Sequence, residues 1–270
     1  MLRYGILPAS YADQIPESIM LEIPEGKTFI SKPELFMLDL LSSYNWDRPI
    51  SLLSQGGDIN IGIKDYLMYD GYSSRFTPVR NTISTTSVGT VDTDVLYRFM
   101  TDVYKWDDLK RTDYYVDYQN LFTTLGVISV RSIFVNAANA FMARGENERA
   151  VEMLDKCQDI LNKDCYPLET VIVGLTGNDY MVASMIEAYL RLGCRDKARA
   201  LAGDMLNELQ ATGRFYLEFY SYSKDDFETV SNYFFYICDI LKKYGERELA
   251  AGAEQAFSDL ISAMAESAKS

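Results

Sequence analysis

Apolar and polar positions follow two different rhythms along the chain. Residues 1–18 are polar and rich in turns, with Pro8 and Pro16. IMLEIPEGKTFI (19–30) alternates around Pro24-Glu25-Gly26, which predicts two short strands and a turn. Ser31-Lys32-Pro33-Glu34 then has the form of a capping box, in which Glu34 reaches back to the Ser31 amide. Leu35, Phe36, Leu38, Leu40 and Leu41 continue at helical spacing and end near Tyr44-Asn45. Pro49 stops the helix and opens ISLLS, a predicted strand, and Gly56-Gly57-Asp58 turns the chain. IGIKDYLMYDG (61–71) predicts a short helix ended by Gly71, and SSRFTPVRN (73–81) a strand. Residues 82–91 read as a Ser/Thr-rich loop. Asp92 or Thr93 is placed to cap a helix running to Trp106, with Val95, Leu96, Phe99, Met100 and Val103 on one side. Residues 1–115 are thus expected to form a small α/β domain. Their elements do not alternate as a doubly wound sheet requires, and neither G-x-G-x-x-G nor a P-loop occurs.

From residue 116 the period is helical. AFMARGENERAVEML (140–154), AYLRLGCRDKARALA (188–202) and ILKKYGERELAAGAE (240–254) repeat one signal. An apolar helix ends at Gly145, Gly193 or Gly245, and five residues on stands Ala150, Ala198 or Ala250. Glycine takes the left-handed conformation that ends a helix. Alanine lets the returning helix approach closely. The glycines lie 48 (193 − 145) and 52 (245 − 193) positions apart. The first unit, with Phe134, Ala137, Ala138, Phe141, Ala150 and Leu154, resembles a tetratricopeptide repeat. The common repeat is about 34 residues, so longer linkers are expected around YPLETVIVGLTGND and FYLEFYSYSKDD. The later units depart further, with Ile186 or Cys238 where a small residue is typical. The predicted class is mainly α, with a small α/β N-terminal part and tetratricopeptide-like helical hairpins, an α-α superhelix, over 116–270. A plain helical bundle is the alternative.

Composition narrows the chemistry. The 270 residues carry a formal charge of −13, which disfavours nucleic acid and anionic membrane surfaces. There is no histidine, so the usual general base and the commonest metal ligand are missing. Cys157, Cys165, Cys194 and Cys238 show no C-x-x-C spacing, and read as buried thiols with a disulfide left open. No metal or cofactor site is expected. No window reaches the roughly 18 apolar residues of a membrane span, and MLRYGILPASYADQIPES lacks a signal-peptide core. Asp107-Asp108 and Asp225-Asp226 read as helix-capping or solvated pairs. Asp65 and Asp70 flank a tyrosine-rich stretch near Arg75, and either pair with it or bind a polar ligand. Tyr114, Tyr115, Tyr118, Tyr216, Tyr220, Tyr222, Tyr233 and Tyr236 either pack between helices or line a concave peptide-binding face.

Three stretches in order carry a wider resemblance: ELFMLDLLSSYNWDRPISL, GIKDYLMYDGYSSRFTPVR and VDTDVLYRFMTDVYKW. Together they resemble the C-terminal part of the Bacteroidetes-type protein O-mannosyltransferase-like membrane proteins. That family runs roughly as N-x-W-x-R-P-I-Y-F or N-W-x-R-P-I-Y-F, then Y-x-x-x-E-G-x-x-x-R-L-x-P-V and N-T-D-x-x-Y-x-x-x-x-x-x-F-x-W, followed by a tetratricopeptide-like tail. The resemblance covers residues 31–106. Asn45, Trp46, Arg48, Pro49, Ile50, Tyr66, Gly71, Arg75, Pro78, Val79, Thr93, Asp94, Tyr97 and Trp106 match. Asp70 and Asp92 stand for Glu and Asn, Ser51 and Tyr104 for aromatic positions, and Phe76 for Leu. The resemblance implies that the transferase proper is a multi-span portion outside this chain, so no catalytic residue carries over. It implies a non-catalytic soluble domain, on the periplasmic side of the inner membrane if the chain is part of a longer protein and cytoplasmic otherwise. A protein or peptide partner is expected, with a glycan as the alternative. Trp46, Arg48, Asp65, Tyr69 and Arg75 are the candidate binding residues.

Overall fold

The computed structural model describes residues 1–4, 6–53, 59–80, 90–113, 115, 127–163, 165–169 and 180–267. The expected turn at Gly56–Asp58, most of the Ser/Thr-rich loop, Tyr114, Tyr118 and most of the YPLETVIVGLTGND linker lie outside the described residues. The chain divides into two compact units: Met1–Lys105 with Asn139–Glu146, and Trp106–Ala138 with Asn147–Ser270. The class is mainly helical with a small N-terminal sheet.

In the first unit, helix α1 (Lys32–Ser42) starts where the capping signal places it. The Ser31 amide and hydroxyl both donate to Glu34 Oε2, at 2.9 and 3.0 Å. Glu34 Oε1 accepts Lys27 Nζ at 2.8 Å and the Asn60 amide at 2.9 Å. Four donors thus saturate a carboxylate that is 1% exposed, which is how a charge is kept inside a fold. They hold its pKa down to about 2.

The sheet has order β1-β3-β2-β4, with β1 (Ser51–Leu53), β2 (Leu67–Tyr69), β3 (Ser73–Phe76) and β4 (Thr90–Val91). β3 pairs antiparallel with both neighbours, and β4 joins β2 in parallel. Met37, Leu52, Ile61, Ile63, Tyr66, Leu67 and Phe76 form the core between sheet and helix.

Three local expectations are corrected here. Residues 19–30 form no strand; only the turn survives, with Gly26 at φ 83° and the Lys27 amide donating to Pro24 O at 3.2 Å. Ile19 and Leu21 pack on the core by side chain alone. The predicted helix 61–71 is a single 3-10 turn, Ile63–Tyr66, after which the chain enters β2. All three β2 residues are buried, and a doubly buried strand loses the alternation that would mark it. Gly71 (φ 111°) therefore turns β2 into β3 rather than ending a helix. Finally, Thr90–Val91 are strand, not loop. Asp92 caps α2 (Thr93–Arg98) through the Val95 amide at 2.9 Å, and one wide turn, Phe99–Val103, follows before the chain leaves the helix at Tyr104.

The helical elements are α3 (Val127–Ala143), α4 (Asn147–Ile160), α5 (Met181–Arg191), α6 (Arg195–Glu218), α7 (Tyr220–Lys243) and α8 (Arg247–Ser267). Each glycine ends its helix in the left-handed region, Gly145 at φ 75°, Gly193 at 76° and Gly245 at 88°. The next amide closes a five-residue loop back onto the helix: Glu146 to Phe141 O (2.9 Å), Cys194 to Tyr189 O (2.9 Å) and Glu246 to Leu241 O (2.8 Å). Ala150, Ala198 and Ala250 are fully buried.

Within the second unit, α5 packs on α6, α6 on α7 and α7 on α8. The expected linker FYLEFYSYSKDD is instead the end of α6 and the start of α7, joined at Phe219, with a kink at Ser223 (φ −129°). Polar side chains tie successive hairpins. Tyr189 donates to Asp155 Oδ1 at 2.8 Å, Lys243 and Tyr244 reach Glu187, and Arg195 and Arg199 converge on the buried Glu246 at 2.5 and 2.6 Å. All four thiols are free, and Cys157 and Cys238 are buried. Burial pushes the Cys238 thiol up to about 12.

Candidate binding groove

The stretch that ends α1 builds the most distinctive feature of the first unit. The Asp47 amide donates to the Asn45 side chain at 3.3 Å, and the Tyr44 hydroxyl donates to the Arg48 carbonyl. This tight reversal sets Trp46 at φ 60°, the one described non-glycine residue with positive φ. A bulky residue in that region is strained, by roughly 1–2 kcal/mol. The strain is offset by ring contacts. Trp46 lies 5.5 Å from Phe76 with planes 17° apart, and 4.4 Å from Tyr44. Pro49 then sends the chain into β1, where the Phe76 amide donates to Ile50 O at 2.8 Å and fixes the ring beneath Trp46.

A groove of 440 Å³ opens beside this pair. Leu38, Leu41 and Ser42 of α1 with Trp46, Phe76 and Pro78 form one wall. Residues 15–21 form the other, through Ile15, Pro16, Ile19 and Leu21. Its lining is mostly apolar, with Glu17, Ser18 and Ser42 as the polar groups from its walls, the character of a recognition cleft.

The five candidate residues separate in space. Trp46 lines the groove. Arg48 is exposed, and no carboxylate lies within 4.0 Å of it among the described residues. Asp65 is on the surface and pairs with Arg80 at 2.9 Å rather than with Arg75. Tyr69 is buried in β2. Arg75 is buried in β3, with Nε 3.7 Å from Asp70 Oδ2 and its guanidinium 5.9 Å from the Phe99 ring. Asp70 also accepts the Ser73 hydroxyl at 2.8 Å, and burial raises its carboxyl above the usual range. The Asp70-Gly71 to Arg75 motif thus closes the β2–β3 turn from inside. Gly71 is needed there because a Cβ would meet the Tyr104 ring at 2.9 Å.

The groove residues Ile15, Ile19, Leu38 and Leu41 carry no motif, Phe76 enters only as a departure from R-L-x-P-V, and apolar spacing alone reads them as core. Ile19 lies between Pro16 and Pro24, in a segment that forms no strand, and Ile15 lies just before Pro16. The tyrosines divide. Tyr233 is buried against Tyr180, whereas Tyr115 and Tyr222 are exposed. Among the described residues, no group of three or more Cys, Asp and Glu is arranged to hold a metal ion, and no helix is long and apolar enough to cross a membrane.

Residues 1–95, which contain the whole groove, match the family model described as TMEM260-associated domain 2, a domain of a membrane-associated family. No curated protein and no solved structure matches the chain.

Proposed function

We propose that this chain is a binding domain of a membrane glycosyltransferase-like protein of the O-mannosyltransferase-like kind, and that its first unit holds a peptide or protein segment in the Trp46–Phe76 groove. The groove carries the reading: 440 Å³ of mostly apolar lining around a strained tryptophan. Backbone strain of this kind persists where the surroundings over-determine it, and clusters at ligand sites. The match of residues 1–95 supports the membrane association. The tetratricopeptide-like hairpins would then display the domain next to the membrane portion, on the periplasmic side of an inner membrane. No cofactor enters this reading.

A second reading, glycan binding, is favoured by the partly exposed Trp46 ring, since sugars stack on such faces. One experiment separates the two. The full chain is panned against a displayed library of linear peptides and, in parallel, against a glycan array. Trp46→Ala and Ser42→Trp serve as controls; Ser42 is exposed, so the second variant fills the groove without touching the core. Peptides retained by the native chain and weakened about 10-fold or more by either change are expected, since each 1.4 kcal/mol is tenfold. Glycans retained in a Trp46-dependent way, with no such peptides, would establish the second reading instead.

A further inference from the structure

One wall of the groove has unused main chain. Ile15 is extended (φ −73°, ψ 116°), and from Ser18 to Glu22 exposure alternates: Ile19 and Leu21 face inward, and Ser18, Met20 and Glu22 outward. A period of two is the signature of extended backbone. Yet this stretch pairs with no strand. Among the described residues, no hydrogen bond engages the main chain of Glu17, Ser18 or Ile19, and the Met20 carbonyl takes only the Tyr66 hydroxyl, at 3.1 Å. Two packed residues anchor the segment, while its amides and carbonyls stay open beside an apolar cleft. A row of open main-chain groups is a template for another strand.

We infer that the groove takes its occupant by strand addition: an extended peptide pairs with the main chain of residues 17–21 and sets alternate apolar side chains against Trp46, Phe76, Leu38 and Leu41. This rests on the peptide-binding reading and states how the peptide is held. Main-chain pairing supplies affinity and the apolar cleft selects side chains. Five residues at about 3.3 Å each span about 17 Å, so the paired core of the peptide is about five residues long. Glu17 in the wall and the charge of −13 select against acidic side chains.

The test uses peptides recovered by the selection above, resynthesised with a single N-methyl group at each position in turn. In a paired strand only every second amide faces its neighbour. Methylation at alternate positions is therefore expected to weaken binding to the full chain about 10-fold or more, and at the intervening positions about 3-fold or less. Amide exchange of residues 17–21 is expected to slow in the complex. Equal tolerance at every position with unchanged exchange would overturn strand addition and leave the groove reading standing. A selection that yields no Trp46-dependent peptide would overturn both. Sedimentation showing a dimer of the chain that Ser42→Trp dissociates would assign the groove to a second copy and overturn the proposal.

Discussion

Trp46 stacks on Phe76 with ring centroids 5.5 Å apart and planes 17° apart, although β1, a 3-10 turn and β2 lie between them in the chain. Trp46 ends the helix side of the reversal; Phe76 ends the central strand. The contact couples a strained backbone to the floor of the groove. Trp46→Phe is expected to keep the stack and most of the peptide affinity. Trp46→Gly, which relieves the positive φ but deletes the ring, is expected to cost about 1–2 kcal/mol of stability and to abolish binding. Urea unfolding and titration with a selected peptide measure the two effects.

Glu34 makes the N-terminal unit acid-sensitive. Its folded pKa of about 2 lies below the ordinary 4.5, lowered first by Lys27 and then by the Ser31 and Asn60 amides. A depressed carboxylate pKa stabilises the fold fully above the unfolded value, and that stability is lost as pH falls from about 4.5 toward 2. Glu34→Gln is expected to lower the urea midpoint at pH 7 and to flatten its decline between those two pH values. A variant whose midpoint still falls as steeply as the native one would remove Glu34 from this account.

Two glycines with nearly the same φ should respond differently to alanine. Gly62 (φ +77°) would place a Cβ 2.5 Å from the Glu22 carbonyl oxygen, against backbone rather than the end of a flexible side chain. Gly193 (φ +76°) would meet nothing within 4 Å. Gly193→Ala is expected to cost about 1 kcal/mol, the conformational penalty alone. Gly62→Ala is expected to cost about 3 kcal/mol or more, because the clash adds to it. It would also move residues 17–22 and weaken peptide binding.

Glu246 gathers Arg195 and Arg199 from α6 at the turn between α7 and α8. The Arg199 hydrogen bond, followed by the others, holds its carboxyl below the usual range. Both arginines are about half exposed and can turn to water, so the loss is smaller than for a fully buried pair. Glu246→Gln is expected to destabilise the helical unit by about 1 kcal/mol at pH 7, read by thermal unfolding, and to leave groove binding unchanged.

The helical half was legible because its signals are local. A glycine needing a left-handed φ and an alanine at a close crossing are each fixed by one position, and Gly145, Gly193 and Gly245 all take that φ. The capping box was legible for the same reason. β2 was not, since Leu67–Tyr69 are buried on both faces and carry no alternation. Residues 19–30 failed in the opposite sense: alternation predicts a strand, but pairing depends on a partner that Pro24 and the fold do not supply. Of the site, Trp46 was visible through its neighbours Arg48 and Pro49. Phe76, Leu38 and Ile19 became groove residues only through tertiary placement. Arg75 and Tyr69, attractive as ligand-binding side chains, face the interior.

The most direct measurement uses tryptophan fluorescence. The chain has two tryptophans, and Trp106 is buried against Phe134 at 4.9 Å. Trp106→Phe leaves Trp46 as the sole reporter. Titration with a selected peptide is predicted to give a saturable blue shift of Trp46 emission, as water leaves the ring, with no shift in the control, the Trp106→Phe chain carrying Ser42→Phe to fill the groove. Undiminished peptide binding by that filled variant, or binding that leaves Trp46 emission unmoved, would contradict the groove as the binding site.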